Sequence, residues 1–246
     1  MMTRCFCLPV IRAFCHHKDC HAPSVRDLFP VTIFFNTLLL CYAALFPIIN
    51  PIGNAPLFLG LTRYRSHQER HALAGRVALN SFFLLLGSLL VGSHVLEFFG
   101  ISLPVVRIGG GLVVTAFGWQ LLNSGASADG DAAAASEVGK PLDTFYPFTM
   151  PLTVGPGSIS AAIALGSQRP SLVDWPGLIL LGSAAITGIL AIAATIYLSY
   201  RFAEDIVGKL GTGGTNVVVR LSAFILLCIG IQIIWTGWTG LIAMPH

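Results

Sequence analysis

Two short clusters of proline, glycine and small polar residues carry the chemistry that this sequence offers. The first cluster contains Asn50, Pro51, Gly53 and Asn54, and the second runs from residue 153 to residue 158. Each cluster lies inside a long apolar run, where a proline removes a helical hydrogen bond at a cost of about 3 kcal/mol. We therefore expect both runs to break and to leave backbone N–H and C=O groups free. In the second cluster the expected contact residues are Thr153, Gly155, Pro156, Gly157 and Ser158.

Such broken helices suit a small zwitterionic ligand. Half-helices that open after Pro51 and Pro156 would direct free N–H groups and the positive end of the helix dipole at a carboxylate. The unwound carbonyls would accept hydrogen bonds from an ammonium group, and glycine would let the backbone approach the ligand. The side chains of Asn50, Asn54 and Ser158 can add hydrogen bonds to the ligand. The same side chains are good caps for a broken helix, so both roles stay open.

Acidic residues are absent from the middle of every apolar run. Glu97, Asp143 and Asp174 lie only at the edges. A buried carboxylate within the membrane would indicate a cationic substrate or a proton relay, so its absence favours a neutral or zwitterionic substrate. The chain also lacks the phosphate-binding, zinc-protease and serine-hydrolase motifs. We therefore expect no catalytic residue and no cofactor.

The overall composition indicates a membrane protein. Of the 246 residues, 54% are hydrophobic and 10% are charged, and the formal net charge is +3. Soluble domains carry about 25% charged residues. This composition excludes a disordered chain, a nucleic-acid-binding protein and an ordinary soluble enzyme. It points to the lipid bilayer as the surrounding solvent.

Six apolar segments are long enough, or nearly long enough, to cross a bilayer as helices. The first and the fourth contain the proline and glycine clusters and should each form two half-helices. The segments cover residues 28–62, 77–99, 101–123, 142–167, 176–200 and 217–243.

The two halves of the chain resemble each other. Pro47 aligns with Pro151, the Gly53-Asn54 pair aligns with Gly157-Ser158, and Arg107 aligns with Arg220. Three spans per half would insert the second half upside down, as in many secondary transporters. The expected fold is therefore an all-α membrane protein of six transmembrane helices in two inverted three-helix repeats, with spans 1 and 4 broken. The expected domains are residues 28–123 and 142–246, joined by a polar linker at 124–141.

The first 27 residues differ from the rest of the chain. Residues 1–24 show no sustained apolar period. We expect a disordered extension, or a true start codon that lies later, for which Val25 is a candidate. Four cysteines and three histidines fall in this region, but their spacing matches no strong zinc template, so no metal site is expected.

The interrupted motifs resemble those of the MarC family of bacterial integral membrane proteins. The matching motifs begin at Phe46, Phe99 and Pro151, and the resemblance covers roughly residues 28–243. It implies a six-helix protein of the bacterial inner membrane. Some members of that family are described as transporters of small neutral amino acids such as glycine and alanine. The cysteine-rich first residues depart from the family pattern, which opens directly into the first helix.

The loops that follow the odd-numbered spans hold most of the basic residues. The positive-inside rule then places both termini in the periplasm. The expected partners are the lipid bilayer and a small zwitterionic solute, with a proton or sodium ion for coupling and a second copy of the chain as further candidates. An uncoupled channel or exporter of another small solute and a non-transporting membrane scaffold are the alternative functions. The basic residues of the expected inner side are Arg63, Arg65, Arg70, Arg76, Lys140, Arg201 and Lys209.

Overall fold

The computed structural model describes residues 30–124, 144–167 and 175–243, and every element within these ranges is a helix. Five of the described helices are long and apolar enough to cross a membrane, so the protein is a multi-pass, all-α membrane protein. The expected extension at residues 1–27 lies outside the described residues, and so does the linker except for its first residue. The five candidate spans are Val31–Ile49, His67–Phe98, Leu103–Asn123, Gly177–Arg201 and Gly213–Ile242.

The first apolar run breaks into two helices, as its sequence predicts. Helix α1 spans Pro30–Ile49 and helix α2 spans Pro51–Leu61. Between them Asn50 adopts the left-handed conformation, with φ 48° and ψ 56°, which asparagine tolerates better than most residues. Helix α1 continues through Pro47, so the chain breaks at Asn50 alone.

The fourth apolar run also forms two helices. A π-helix spans Thr144–Thr153 and helix α5 spans Pro156–Ser167, and neither is among the candidate spans. Both α2 and α5 begin at a proline, whose fixed φ suits the first position of a helix. Pairing these two prolines makes Gly53 equivalent to Ser158, one position away from the alignment read from the sequence. The difference arises because five positions separate Pro151 from Pro156, whereas four separate Pro47 from Pro51.

Two helices begin earlier than hydropathy predicts. Helix α3 spans His67–Phe98, ten residues before the expected start, because the Ser66 side chain and Glu69 form a capping box. Helix α7 spans Ala203–Ile242 and bends at Gly211, where φ is 67°, so the expected polar stretch before the sixth span is helical. A hydropathy pattern detects only the apolar part of a helix, so it misses helical turns that lie outside the apolar layer. The two remaining helices are α4, Leu103–Ser124, and α6, Trp175–Arg201.

Helices α4 and α7 pack closely and run antiparallel. A Cβ atom on Gly118 of α4 would lie 2.8 Å from the Leu227 backbone nitrogen, and one on Gly237 of α7 would lie 2.8 Å from the Pro104 carbonyl oxygen. Contacts closer to the C-terminus of α4 are therefore made with residues closer to the N-terminus of α7. Small residues allow this close backbone approach, which stabilises helix pairs in membranes.

The main hydrophobic core is shared by the two halves of the chain. Leu45, Phe58 and Leu85 from the first half pack in one buried cluster with Phe148 and Ile192 from the second. The halves therefore interlock, and the two interrupted segments are held next to each other in the interior.

Candidate functional site

Asn54 connects the two helix breaks. Its side-chain Nδ2 donates a hydrogen bond to the carbonyl oxygen of Ile49 and another to that of Leu152, each at 2.9 Å. Ile49 is the last residue of α1, and Leu152 lies next to the end of the π-helix. The side chain is 3% exposed. A single buried carboxamide thus joins carbonyls on both interrupted segments.

Two polar atoms at this junction are buried and have no hydrogen-bond partner among the described residues. They are the side-chain Oδ1 of Asn54 and the side-chain Nδ2 of Asn50. The Oδ1 of Asn50 accepts a hydrogen bond from the backbone nitrogen of Gly53 at 3.3 Å, which caps α2. Asn50 therefore caps the half-helix and still presents an unused donor. Because buried polar groups in proteins are nearly always paired, these two atoms are the positions where a ligand or an ordered water would form hydrogen bonds.

The polar side chains at the second break bond within the protein. The Thr153 hydroxyl donates to the Phe148 carbonyl oxygen at 2.7 Å and lies 2.8 Å from the Tyr200 hydroxyl oxygen. The Ser158 hydroxyl donates to the carbonyl oxygen of Gly155 at 2.9 Å. Thr153 and Ser158 are both buried, so they shape the break while their hydroxyl protons are already used.

A helix from each half lies directly against a half-helix N-terminus. A Cβ atom on Gly53 would lie 2.7 Å from the Cβ of Ser222 on α7. A Cβ atom on Gly157 would collide with the Cγ2 of Val114 on α4. Pro51 and Gly157 are buried, and Pro156 is partly buried. The sequence analysis did not identify Ser222 or Val114, because neither forms part of a motif.

An aromatic layer covers the junction on the side of the α2 C-terminus. The Phe58 ring stacks on the Tyr200 ring with centroids 4.4 Å apart, and the Phe148 ring meets Phe58 edge-on at 5.9 Å. All three side chains are fully buried. Phe58 follows Asn54 by one helical turn, so the layer begins about 6 Å from the carboxamide.

A buried arginine lies beyond the aromatic layer. Arg70, which the sequence suggested only as a loop charge, is 6% exposed and forms an ion pair with Glu204 at the start of α7. Its Nη2 donates to the Thr62 carbonyl oxygen at 3.1 Å and to the Arg65 carbonyl oxygen at 3.3 Å. The His67 Nε2 atom lies 3.3 Å from the second carboxylate oxygen of Glu204. The start of α3 and the start of α7 therefore lie at the same end of the molecule.

Comparison with known proteins also indicates an integral membrane protein. The model of the MarC family, described as MarC family integral membrane protein, matches residues 35–242. The UPF0056 inner membrane protein MarC of Citrobacter koseri is 31% identical over 218 residues, which cover 86% of this chain and 98% of that protein. The corresponding protein of Escherichia coli O1:K1 / APEC is 31% identical over 221 residues, covering 86% of this chain and 98% of the relative.

A relative from a different bacterial group shows the same extent of similarity. The UPF0056 membrane protein YvbG of Bacillus subtilis is 29% identical over 213 residues, covering 85% of this chain and 97% of that protein. No solved structure matches the chain significantly. Since the family model and these relatives cover nearly all of the described helices, the chain belongs to the MarC family of integral membrane proteins.

Proposed function

We propose that this protein is a secondary transporter of small neutral amino acids of the glycine and alanine class. The observation that carries the proposal is the junction at Asn54, where two broken helices meet around one unused acceptor and one unused donor. The Oδ1 of Asn54 would accept a hydrogen bond from the ammonium group of the solute. The Nδ2 of Asn50 would bind its carboxylate, next to the positive end of the α2 dipole.

Charge and space both favour a small zwitterion. The side chains at the junction are neutral, and no Asp or Glu lies in the middle of an apolar run. A ligand with compensating charges avoids the large cost of an unpaired charge in the membrane interior. Ser222 and Val114 lie tightly against the two half-helices, which leaves little room for a large side chain. This fits a carrier and requires no catalytic residue or cofactor.

Pairwise contacts support the proposal of two inverted three-helix repeats. Helix α2 contacts α7 as α5 contacts α4, and α1 contacts α6 as the π-helix contacts α3. The equivalent helices α4 and α7 run antiparallel, as an axis within the membrane plane requires. The segment from residue 144 to residue 167, which contains the π-helix and α5, has 24 residues, enough for a sixth, interrupted span. Moving one repeat against the other would expose the junction to each side in turn.

Orientation follows from the basic residues. The contact of Arg70 with Glu204 brings the loop before α3 and the start of α7 to one face. We propose that this face is cytoplasmic and that both termini are periplasmic in the bacterial inner membrane. The proposal also includes a proton or a sodium ion as the coupling ion and a homo-oligomer as the assembled state. Each can be measured separately on the purified protein.

Uptake of radiolabelled glycine and alanine into proteoliposomes tests the proposed function. A carrier gives saturable uptake and counterflow, whereas an uncoupled channel gives no acceleration by unlabelled solute inside the vesicles. A membrane scaffold gives neither uptake nor a ligand-dependent rise in melting temperature. Uptake equal to that of empty vesicles under both proton and sodium gradients would overturn the assignment.

One variant pair links the assay to the junction. Asn50→Gly suits the left-handed backbone and costs only a few tenths of a kcal/mol as a cap, but it removes the unused donor. A hydrogen bond to a charged group contributes about 1.5–3 kcal/mol, so the apparent affinity should fall roughly 10- to 100-fold. Asn123→Gly, at the exposed end of α4, is the matched control and should leave the affinity unchanged.

A further inference from the structure

Three residues on one face of α2 form successive layers of contact. Asn54 and Phe58 lie four residues apart on α2, about 6 Å along its axis, and Thr62 follows after four more as the C-cap residue of that helix. Asn54 contacts the Leu152 carbonyl, and Phe58 stacks on the Tyr200 ring. The Thr62 carbonyl accepts a hydrogen bond from Arg70, which pairs with Glu204. Each layer therefore reaches the second half of the chain.

Resting on the proposed carrier function, we propose that the Phe58–Tyr200 stack and the Arg70–Glu204 ion pair are the two layers of a gate. This gate closes the route from Asn54 to the arginine-bearing face in the present structure. The stack is the inner layer, next to the solute, and the ion pair is the outer layer. Passage of a solute to that face requires both contacts to separate.

The distribution of hydrogen bonds within the outer layer favours a moving contact over a permanent one. Arg70 keeps its hydrogen bonds to Thr62 and Arg65 when the halves separate, because all three residues belong to the first half. Between the halves, Glu204 of the second half is contacted by Arg70 and by His67 of the first. The Glu204 side chain is 44% exposed, so water can hydrate the carboxylate when it separates from Arg70, while the two backbone carbonyls continue to accept hydrogen bonds from the guanidinium group.

In the inner layer, too, the hydrogen bond stays within one half of the chain. Tyr200 keeps its hydrogen bond to Thr153 during separation, since both residues belong to the second half. Its contact with Phe58 is a face-to-face ring stack with an interplanar angle of 10°. Parting two stacked rings leaves no polar group without a partner. Separating Phe58 from the rings of Tyr200 and Phe148 therefore breaks no buried hydrogen bond.

Cysteine labelling of the full-length protein in vesicles tests the gate without requiring transport. Thr62 is fully buried under Arg70, so Thr62→Cys should react slowly with a maleimide when the gate is closed. Adding Glu204→Gln removes a partly exposed ion pair and should raise the labelling rate about fivefold, the change expected for roughly 1 kcal/mol. Labelling at position 62 is read by mass spectrometry of the peptide. Leu61→Cys, at a partly buried neighbouring position, gives an independent reading.

Two controls separate gate opening from general loosening. Glu69→Gln removes a charge on the same face. Glu69 pairs with Arg65 of the preceding loop at 3.8 Å and accepts a hydrogen bond from the Ser66 backbone nitrogen, a capping role that glutamine can also fill, so the rate should not change. The native Cys41 is 1% exposed in the core and should stay unreactive in every variant. If Glu204→Gln and Glu69→Gln label alike, or if Cys41 reacts in parallel, the gate is refuted.

The same experiment distinguishes failure of the gate from failure of the carrier function. Glycine uptake without a labelling response at position 62 would refute the gate and leave the carrier standing. A labelling response without uptake of any amino acid would refute the carrier and show that the contact opens for another purpose.

Discussion

Replacing Asn54 with alanine should measure how strongly the two helix breaks are joined. The substitution removes two hydrogen bonds of 2.9 Å and leaves the carbonyl oxygens of Ile49 and Leu152 without this donor in a buried site. Side-chain hydrogen bonds between membrane helices contribute about 0.6 kcal/mol on average and up to about 1.7 kcal/mol. Two such bonds, together with the lost packing, predict a destabilisation of about 2 kcal/mol. For a chain of this length that corresponds to a fall in Tm of roughly 4–8 °C.

The assay is a thermal melt of the purified protein in detergent, followed by fluorescence-detected gel filtration. Asn123→Ala is the matched control, because Asn123 is exposed at the end of α4 and should shift the free energy of unfolding by less than about 0.5 kcal/mol. Equal melting temperatures for Asn54→Ala and Asn123→Ala would show that the carboxamide does not hold the breaks together. The structural basis of the proposed site would then be wrong.

Further substitutions at Gly53, Gly60 and Tyr200 test the packing around the junction. Gly53→Ala would place a Cβ against the Asn50 carboxamide and 2.7 Å from the Cβ of Ser222. It should cost about 1–3 kcal/mol, and Ser222→Gly should restore only the part that comes from Ser222. Gly60→Ala has no atom within 4 Å of the new Cβ and should stabilise α2 by up to about 1 kcal/mol. Denaturant titration would rank Gly53→Ala, the Gly53→Ala/Ser222→Gly double variant and Gly60→Ala by stability. Tyr200→Phe keeps the ring but removes the hydrogen bond to Thr153; a loss of about 0.5–1.5 kcal/mol is expected, and unchanged stability would contradict that bond.

Local sequence predicted the breaks well and the helix ends poorly. Pro51 and Pro156 fix φ and lack an N–H group, which suits the first position of a half-helix. Pro47 was a weaker guide, because α1 absorbs it and the chain turns at Asn50. The early start of α3 depends on the cap at Ser66, a polar signal that an apolar pattern does not register. That the proposed contact residues bind a solute stays a prediction.

The sequence alone determined that the chain spans a membrane, that its first and fourth apolar runs break, and which family it resembles. These properties follow from apolar length and from the covalent limits of proline and glycine, which act within a few residues. Only the tertiary structure decided that Asn54 binds a carbonyl 98 positions away along the chain and that Arg70 is buried against Glu204. Such pairs depend on how separate helices pack. The neighbouring sequence does not distinguish this asparagine or this arginine from others of the same type in the chain.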